Sequence, residues 1–405
     1  MNEHNLKEFL LTHENADPAL LMLHRNSRPD IDMDLAVKCI RGRQIAKHKM
    51  PVWYKEPGLV YPGSLPLEQC SSQATALYKQ RFVKTGDKAA DMTGGLGIDS
   101  WSLSGKAASV DYFEQSEELC RCARHNFRTL GRSNIIVHQT ETTLEMLSGI
   151  PSCSYNIIYL DPARRNKEGN RVYSLKDCEP DVTILKRELL RIAPRILLKV
   201  SPMADIRVLL SELPEAVEIH VVSSENECKE VLVLMERGNA VNPEQIPVIA
   251  VDIPGGRDTC PGSFRFTIAE EKAAVPETAS PDDITGYLFE PSPALLKSGA
   301  FKLPAIRFGL KKISASTHFY TGNKIVRDFP GKVRRIIDVM PFNKAAARDF
   351  KKKYPACSVT ARNFPMNSET LRKRLGAAES NELRVIGTTT SDNSRILIVT
   401  ASLQP

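Results

Sequence analysis

Hydrophobic and polar positions change their spacing at three places along the chain. Residues 1–82 carry short apolar stretches at helical spacing, which predicts a helical N-terminal domain. Residues 83–240 alternate short apolar runs with amphipathic stretches, a pattern typical of strands separated by helices. Beyond residue 240 this alternation stops. Residues 241–328 are predicted to hold a hairpin and a small module, and residues 329–405 a basic α+β domain.

The alternating middle region predicts the fold class. Strands are predicted at 88–92, 109–113, 135–137, 155–160, 195–200, 217–222 and 230–236, and helices at 117–130, 182–192 and 204–213. Helices between successive strands imply right-handed crossovers and a mostly parallel sheet. The last two strands have no helix between them, which predicts one antiparallel edge strand. The expected class is α/β, with a Rossmann-like seven-stranded core flanked by a helical domain and small α+β domains.

Composition narrows the environment in which the chain is expected to act. The apolar content of 42% and the charged content of 25% are ordinary for a globular protein. No apolar stretch approaches the roughly 20 residues that span a bilayer, and the first residues lack the layout of a signal peptide. The nine cysteines include no C-x-x-C pair, which argues against a zinc site. We therefore expect a cytoplasmic monomer without metal or membrane partners.

Charge is distributed unevenly along the chain. The whole sequence has a formal net charge of +7, yet residues 276–405 alone hold 21 Lys and Arg against 11 Asp and Glu. A basic C-terminal part is thus joined to a slightly acidic remainder. This asymmetry favours a polyanionic partner.

A glycine-rich turn follows the first predicted strand. Residues 91–97 read Asp-Met-Thr-Gly-Gly-Leu-Gly, in which the glycines permit a sharp turn and the next helix offers free N–H groups. Glu114 ends the second strand, where a carboxylate can accept both hydroxyls of an adenosine ribose. NAD is a weaker candidate, because the G-x-G-x-x-G pattern needs glycine where Ser100 stands. Asp91, directly before the turn, suits a cationic ligand instead.

These residues resemble known cofactor motifs. Residues 91–97 resemble motif I of class I S-adenosylmethionine-dependent methyltransferases, and Glu114 resembles motif II. Residues 138–141 are similar to the segment that contacts adenine in that family. The resemblance implies S-adenosylmethionine as cofactor. The residues implied to bind it are Asp91, Thr93, Gly94, Gly95, Gly97, Asp99, Glu114, Thr140 and Glu141.

A second motif follows the fourth predicted strand. Residues 161–165 read Asp-Pro-Ala-Arg-Arg and resemble motif IV of the same family. Asp161 can orient a nucleophile by accepting its hydrogen bond, and Pro162 stiffens the loop. Arg164 stands where amine-methylating relatives carry an aromatic residue, so an amine acceptor is in doubt. Asp161, Pro162 and Arg164 are predicted to be catalytic, and Arg165 to hold a base or phosphate.

The basic C-terminal part carries its own resemblance. Residues 358–366 and 369–375 resemble the THUMP-like domain that ends a group of bacterial class I methyltransferases, and residues 287–318 resemble the ferredoxin-like module before it. THUMP domains are RNA-binding units, so RNA is implied as a partner. The predicted RNA-binding residues are Arg165, Lys311, Lys312, Arg334, Arg335, Arg362, Arg372 and Lys373.

The leading hypothesis is a methyltransferase that modifies a base in rRNA or tRNA by in-line methyl transfer. One alternative is a methyltransferase for a protein or a small molecule, with the basic part serving to dock a partner. Another is a non-catalytic RNA-binding protein with a vestigial cofactor site. An NAD-dependent oxidoreductase is the remaining enzyme class, and it leaves Asp161 and Pro162 without a role.

Overall fold

The chain folds into two compact units. The computed structural model describes residues 3–23, 31–164, 175–239, 241–254 and 262–403. The units are Met1–Ile219 with Lys229–Pro243, and His220–Cys228 with Glu244–Pro405. The predicted N-terminal domain therefore shares its unit with the α/β core.

The N-terminal segment is helical, as its apolar spacing predicts. Its helices are α1 (Glu3–Thr12), α2 (Pro18–Leu23), α3 (Met33–Lys49), α4 (Pro51–Tyr54), α5 (Ser64–Gln69) and α6 (Gln73–Lys79). Asp32 caps α3 by accepting the N–H of Leu35 at 3.0 Å. The side chain of Asn126 is buried; its Oδ1 accepts the N–H of Val60 at 2.9 Å, and its Nδ2 donates to the carbonyl of Val60 at 2.8 Å. This pair ties the segment to the α/β core.

The α/β core follows the predicted elements to within a few residues. They are β1 (Lys88–Asp91), α7 (Ile98–Leu103), β2 (Ser109–Glu114), α8 (Glu117–Thr129), β3 (Ile135–Gln139), α9 (Leu144–Ser148), β4 (Ile157–Leu160), β5 (Ala163–Arg164), β6 (Cys178–Glu179), α10 (Val182–Ile192), β7 (Arg195–Val200), α11 (Ile206–Glu212), β8 (Ala216–Ser224) and β9 (Glu227–Glu236). The short strands β5 and β6 pair with each other outside the main sheet.

The main sheet of the core confirms the α/β class. Among the described residues this sheet has nine strands in place of the seven expected, and the strands given above have the order β8-β9-β7-β4-β1-β2-β3. The pairs of β1 with β2 and β4, of β2 with β3, and of β4 with β7 are parallel. Strand order reverses at β1, because the chain moves first to β2 and β3 and then returns to β4. A crevice at such a switch point is the usual ligand site of an open α/β sheet.

The antiparallel strand differs from the prediction in its position. β9 pairs antiparallel with β7 and lies between β7 and β8, in the interior of the sheet instead of at its edge. A two-residue turn joins β8 to β9, with positive φ at Glu225 and Asn226 as in a type I′ hairpin. The apolar run at residues 231–235 is buried throughout, and such an uninterrupted run is typical of a strand covered on both faces.

The second unit combines a hairpin with a second sheet. Its elements are β10 (Val248–Ile253), β11 (Gly262–Phe266), α12 (Ile268–Ala273), β12 (Tyr287–Pro291), α13 (Pro293–Ser298), α14 (Leu303–Phe308), β13 (Lys311–Lys312), β14 (Tyr320–Gly322), β15 (Gly331–Pro341), α15 (Lys344–Lys353), β16 (Ser358–Ala361), α16 (Ser368–Leu375), β17 (Leu383–Thr389) and β18 (Arg395–Ser402). β10 and β11 are further strands of the first sheet, in the order β11-β10-β8.

One seven-stranded sheet spans the two C-terminal domains predicted from the sequence. Its order is β13-β14-β12-β15-β18-β17-β16. β12 and β15 form an antiparallel pair over five residues, from Tyr287 opposite Arg335 to Pro291 opposite Gly331. The ferredoxin-like module and the basic domain therefore share one hydrogen-bonded sheet, and removal of either would expose a strand edge.

Two absences hold for the described part of the chain. No helix there combines the length and apolar character needed to cross a bilayer. The same residues contain no group of three or more His, Cys, Asp or Glu side chains that could hold a metal ion.

Gly42 in α3 provides a test of packing between the N-terminal helices and the segment that follows them. A Cβ at this position would lie 2.4 Å from Cγ of the fully buried Tyr61. We expect Gly42→Ala to destabilise the first unit by about 1 to 3 kcal/mol through overpacking, although alanine favours a helix. Urea unfolding followed by the fluorescence of Trp53 and Trp101, both in this unit, measures the effect.

Gly149→Ala is the matched control for this experiment. Its Cβ would meet only the carbonyl oxygen of Met146, at an ordinary contact distance of 3.5 Å. Equal unfolding free energies for the two variants would contradict the packing argument.

Candidate functional site

The predicted cofactor and catalytic residues meet at the carboxyl ends of three neighbouring strands. Asp91 is the last residue of β1, Glu114 is the last residue of β2, and Asp161 directly follows β4. The N–H of Asp161 donates to Oγ1 of Thr93 at 2.6 Å, which joins the β4 loop to the glycine-rich turn. The structure thus brings the two sequence motifs together at the switch point of the sheet.

The turn after β1 depends on its glycines. A Cβ on Gly94 would lie 2.2 Å from the ring of Tyr112, and one on Gly97 would lie 2.7 Å from the ring of Phe127. Gly95 and Gly97 have φ values of +55° and +90°, in the left-handed region that favours glycine. A Cβ on Gly95 would meet only the carbonyl oxygen of Thr93, at 3.8 Å, so this glycine borders open space where a ligand can approach the backbone.

Asp91 is buried and holds the turn in place. Its Oδ1 accepts the N–H of Thr93 at 3.1 Å, and its Oδ2 accepts the hydroxyl of Ser100 at 2.6 Å. Burial raises the pKa of Asp91 to about 7, against the opposing effect of the Ser100 hydrogen bond. Ser100, which counted against an NAD fingerprint, therefore has a structural reason to be present.

Glu114 lies at the end of β2, beside the glycine-rich turn. Its Oε2 accepts the N–H of Gly95 at 2.9 Å, and its Oε1 accepts the N–H of Ser116 at 2.8 Å. These bonds fix the carboxylate beside the turn, and each oxygen keeps a further lone pair for a hydroxyl donor.

The segment after β3 reaches the same region through its backbone. The N–H of Thr140 donates to the carbonyl of Glu114 at 3.0 Å, and the side chain of Glu141 is exposed. Thr142 is buried, and its hydroxyl donates to the carbonyl of Met92 at 2.6 Å. Thr140 and Glu141 thus lie near the turn, and their contact with adenine stays a prediction.

A buried ion cluster lies beside the turn. Lys79, with no exposed surface, donates to Oδ1 of Asp99 at 3.0 Å and to the hydroxyl of Ser71 at 2.9 Å, and it lies 2.9 Å from Oε2 of Glu230. Oδ2 of Asp99 accepts the hydroxyls of Ser71 and Tyr159 at 2.8 and 3.0 Å. These contacts occupy both carboxylate oxygens of Asp99, so this residue does not fit the cofactor contact predicted for it.

Buried charges in the cluster depend on one another. Burial acts to raise the pKa of Asp99, but the ammonium groups of Lys79 and Lys199 reverse this effect and lower it. Burial raises the pKa of Glu230, whose Oε1 has no hydrogen-bond partner among the described residues. A partner removed from such a cluster leaves an uncompensated buried charge, which costs about 3 to 5 kcal/mol.

The cluster opens towards solvent at a lysine–aspartate pair. Lys199, in β7, donates to Oδ2 of Asp161 at 2.6 Å and to the hydroxyl of Ser71 at 3.3 Å. Burial acts to lower the pKa of Lys199, but the carboxylates of Asp161, Glu230 and Asp99 outweigh burial and raise it well above its ordinary value. Lys199 is therefore an ammonium ion that directly contacts the predicted catalytic residue.

The rest of motif IV is only partly described. Pro162 follows Asp161 and precedes β5, where Ala163 pairs with Glu179 and Arg164 with Cys178. Arg165 lies outside the described residues. The catalytic roles predicted for Pro162 and Arg164 stay predictions.

Sequence reasoning missed Lys79, Tyr159 and Glu230. Tyr159 lies inside the apolar strand β4 and Glu230 directly before the apolar run of β9, so a polar residue at a predicted core element was the available signal for these two. Lys79 ends α6, and Glu230 precedes the buried run of β9. A lysine or glutamate is almost never fully buried unless it is paired, so each one indicated an unseen partner.

Several predicted RNA-binding residues bond within the second unit. Lys312 is 4% exposed and donates to the carbonyl of Ala315 at 3.2 Å, so it does not fit the surface contact predicted for it. Arg334 donates to Oγ1 of Thr400 at 2.9 Å. Arg362 donates to the buried carboxylate of Glu290 at 3.0 Å. Their neighbours keep these three cations in place.

The other predicted residues are more accessible. Arg335 and Lys373 are exposed and Arg372 is half-buried. Lys311 lies 3.0 Å from Asp283, and Lys373 lies 2.7 Å from Glu369. Surface ion pairs of this kind contribute little energy, so they can be exchanged for a phosphate at small cost.

Comparisons with known proteins identify the family. Residues 287–330 match a family model described as a ferredoxin-like domain, and residues 331–402 match one described as THUMP domain-like. A solved structure from Porphyromonas gingivalis W83, described as a candidate methyltransferase, shares 34% identity with this chain. The match covers 99% of this chain and 98% of that one, with a TM-score of 0.89.

The chain therefore belongs to the bacterial group of class I methyltransferases that carry a ferredoxin-like module and a C-terminal THUMP-like domain. Two other solved structures are also similar. One is a candidate methyltransferase from Streptococcus mutans in complex with SAH, at 19% identity over 42% of this chain and 97% of that chain. The other is a SAM-dependent methyltransferase from Agrobacterium tumefaciens, at 15% identity over 40% of this chain and 60% of that chain. Their TM-scores are both 0.29, too low to add to the argument. The search of curated proteins found no match.

The raised pKa of Asp91 leads to a prediction about pH. Between about pH 4 and pH 7 the folded protein keeps a proton on Asp91 that the unfolded chain has released, so this group lowers stability as pH rises. Asp91→Asn removes the effect. Relative to the unchanged protein, the variant should gain stability from pH 5 to pH 7.5, by at most about 1.4 kcal/mol per pH unit.

Urea unfolding at several pH values, followed by tryptophan fluorescence, measures the difference between the two proteins. Parallel stability curves for the variant and the unchanged protein would show that Asp91 does not titrate in this range.

Proposed function

We propose that this protein transfers a methyl group from S-adenosylmethionine to RNA at the crevice formed by the ends of β1, β2 and β4. The proposal is supported above all by the convergence of Asp91, Glu114 and Asp161, from three separate sequence motifs, at the switch point of the sheet. Family membership supports methyltransferase activity, without indicating the substrate.

The described residues fit the proposed cofactor. Gly95 leaves its face of the turn open, as a ligand lying against the backbone requires. The fixed carboxylate of Glu114 would accept the ribose hydroxyls, and Asp91, bonded to Thr93 and Ser100, would hold the turn against which the methionine portion lies. When bound, S-adenosylmethionine supplies an electrophilic methyl group on a sulfonium. The contribution of the protein is then mainly to position the acceptor in line with it.

RNA is the proposed substrate because of the second unit. It carries a THUMP-like domain, and its accessible cations include Arg335, Arg372 and Lys373. Basic groups on one domain bind phosphates, while a catalytic crevice elsewhere in the chain selects the reacting nucleotide. An rRNA or tRNA with a structured target is the favoured class.

The alternative functions differ in what they leave unexplained. A protein or small-molecule methyltransferase would use the same crevice, with the basic part docking a partner, and would leave the THUMP-like domain without an RNA-binding role. A non-catalytic RNA-binding protein would have no use for the partly exposed pair of Lys199 and Asp161 at the crevice. An NAD-dependent oxidoreductase would place a pyrophosphate against the acidic end of β1.

Two substitutions separate cofactor binding from methyl transfer. Glu114→Ala should weaken S-adenosylhomocysteine binding by about tenfold or more, because a charged hydrogen-bond acceptor is lost. Asp161→Ala should keep cofactor affinity near that of the unchanged protein and reduce methyl transfer to RNA by about 100-fold or more. Calorimetric titration and isotope transfer from labelled cofactor measure the two effects. Full methyl transfer by Asp161→Ala would exclude the role of this residue.

A charge-neutralised surface tests the RNA partner. Combined replacement of Arg335, Arg372 and Lys373 by alanine should weaken RNA binding. It should also reduce the slope of log affinity against log salt by about 2, if each cation neutralises one phosphate of a single strand. Substitution is preferable to removal of residues 329–405, which would strip β15 from its partner β12.

Filter binding at several salt concentrations, with RNA from a strain that lacks the gene, provides the measurement. Lys106→Ala, at an exposed lysine of the first unit, is the control variant. An unchanged salt slope in the triple variant would count against an RNA-binding role for this surface.

A further inference from the structure

The ion cluster places an ammonium group where a methyl acceptor would react. Lys79 is 0% exposed, the Lys199 side chain 13% and the Asp161 side chain 33%. Exposure thus increases from the interior towards the pair of Lys199 and Asp161 at the ends of β7 and β4. A substrate entering the crevice would meet this pair first.

Hydrogen-bond capacity distinguishes the two lysines. Each ammonium group has three hydrogens to donate. Lys79 directs all three to Ser71, Asp99 and Glu230, so its capacity is used within the protein. Lys199 directs two hydrogens to Asp161 and Ser71, and the contacts of the described residues leave its third hydrogen for a ligand.

The charge of Lys199 discriminates between acceptor atoms. A nitrogen acceptor gains positive charge as it is methylated, and a neighbouring ammonium ion opposes that change. A hydroxyl acceptor gains negative charge as its proton leaves, and an ammonium ion stabilises that change. Lys199 holds the Asp161 carboxylate through Oδ2, and the contacts given for the described residues leave Oδ1 for the proton of a hydroxyl.

We propose that the methyl acceptor is a hydroxyl group and, since the inference rests on the proposed RNA methyltransferase activity, that it is the ribose 2′-hydroxyl of an RNA nucleotide. This hydroxyl is the oxygen nucleophile that every internal RNA nucleotide presents. The base acceptor expected from the sequence is thereby replaced by a sugar oxygen.

The step balances with the groups present. The hydroxyl proton moves to the Asp161 carboxylate, and Lys199 donates its remaining hydrogen bond to the oxygen as negative charge develops. The oxygen lone pair forms the new O–C bond while the C–S bond of the sulfonium donor breaks, and the electrons of that bond stay on sulfur. The products are a 2′-O-methyl ribose, a neutral thioether and a protonated Asp161, which returns its proton to water.

Lys79 and Glu230 act on this step through their neighbours. Lys79 and Lys199 both donate to the hydroxyl of Ser71. Lys79, at the end of α6, therefore influences the position of Lys199 through this shared hydroxyl. Glu230 contacts Lys79 and contributes to the electrostatic stabilisation of Lys199. Both are positioning residues, since neither side chain is accessible to a substrate.

The location of a transferred label tests the acceptor atom. The full-length protein is incubated with methyl-labelled S-adenosylmethionine and total RNA from a strain that lacks the gene. Alkaline hydrolysis needs a free 2′-hydroxyl, so 2′-O-methylation leaves labelled dinucleotides that resist alkali. Mass spectrometry of nucleosides from an enzymatic digest then assigns the label to the sugar or to the base.

Each outcome has one interpretation. Label on ribose in alkali-resistant dinucleotides supports the inference. Label on a base overturns the inference and leaves RNA methyltransferase activity standing. Absence of label in RNA overturns both.

Substitutions at Lys199 test the ammonium group itself. Lys199→Met should reduce methyl transfer by about 100-fold or more, as loss of one donor to a developing oxyanion does. Lys199→Arg keeps the charge and should recover part of the activity. Lys106→Met, at an exposed lysine, is the control. S-adenosylhomocysteine titration verifies that each variant still binds the cofactor. Activity of Lys199→Met equal to that of the unchanged protein would overturn the proposed role.

An NMR measurement provides a readout that is independent of turnover. In protein carrying ¹³C at lysine Cε, the signal that disappears in Lys199→Met belongs to Lys199. Asp161, Asp99, Glu230, Lys79 and Ser71 surround it, and the acidic groups among them favour the charged form. The signal should keep its ammonium shift from pH 6 to pH 9. Titration within this range would identify a neutral amine and overturn the cationic role.

Discussion

The buried position of Lys79 is the constraint on which the rest of the site depends. An ammonium group without exposed surface is stable only with full pairing, and Ser71, Asp99 and Glu230 supply it. These partners come from the segment before α6, from the helix after the glycine-rich turn and from β9. One cation therefore holds together the N-terminal segment, the cofactor turn and the antiparallel strand, which explains why residues 1–82 share a compact unit with the core.

The interior position of β9 follows from the same requirement. A hairpin strand at the edge of the sheet would present Glu230 to solvent, whereas between β7 and β8 it lies next to Lys79 and near Lys199. The continuous apolar run after Glu230 places buried apolar side chains on both faces of the strand. Strand position and charge pairing are thus two results of one packing arrangement.

Local signals predicted the α/β fold, the glycine-rich turn and the strand end at Asp161, because glycine turns and strand ends are encoded over a few residues. Burial of single charges was not predictable, because it depends on partners distant in sequence. Lys311 and Lys312 illustrate the difference. Adjacent residues of a strand face opposite sides, so one is partly exposed and the other is buried, although the sequence presents them as one basic pair. Lys79 similarly resembles the solvated end of a helix until Asp99 is placed beside it.

The charges of the crevice are also separated by function. In the proposed site, Glu114 would give the cofactor side an acidic character, and Lys199 would give the acceptor side a cationic one. Methyl transfer from a sulfonium to a hydroxyl whose proton moves to Asp161 would neutralise both the sulfonium and the carboxylate, and a poorly solvated site favours a transition state with less charge. Transfer to an amine would instead move positive charge towards Lys199. Under the proposal, this electrostatic arrangement would favour an oxygen acceptor over nitrogen, in line with the departure of motif IV from the amine-methylating pattern at Arg164.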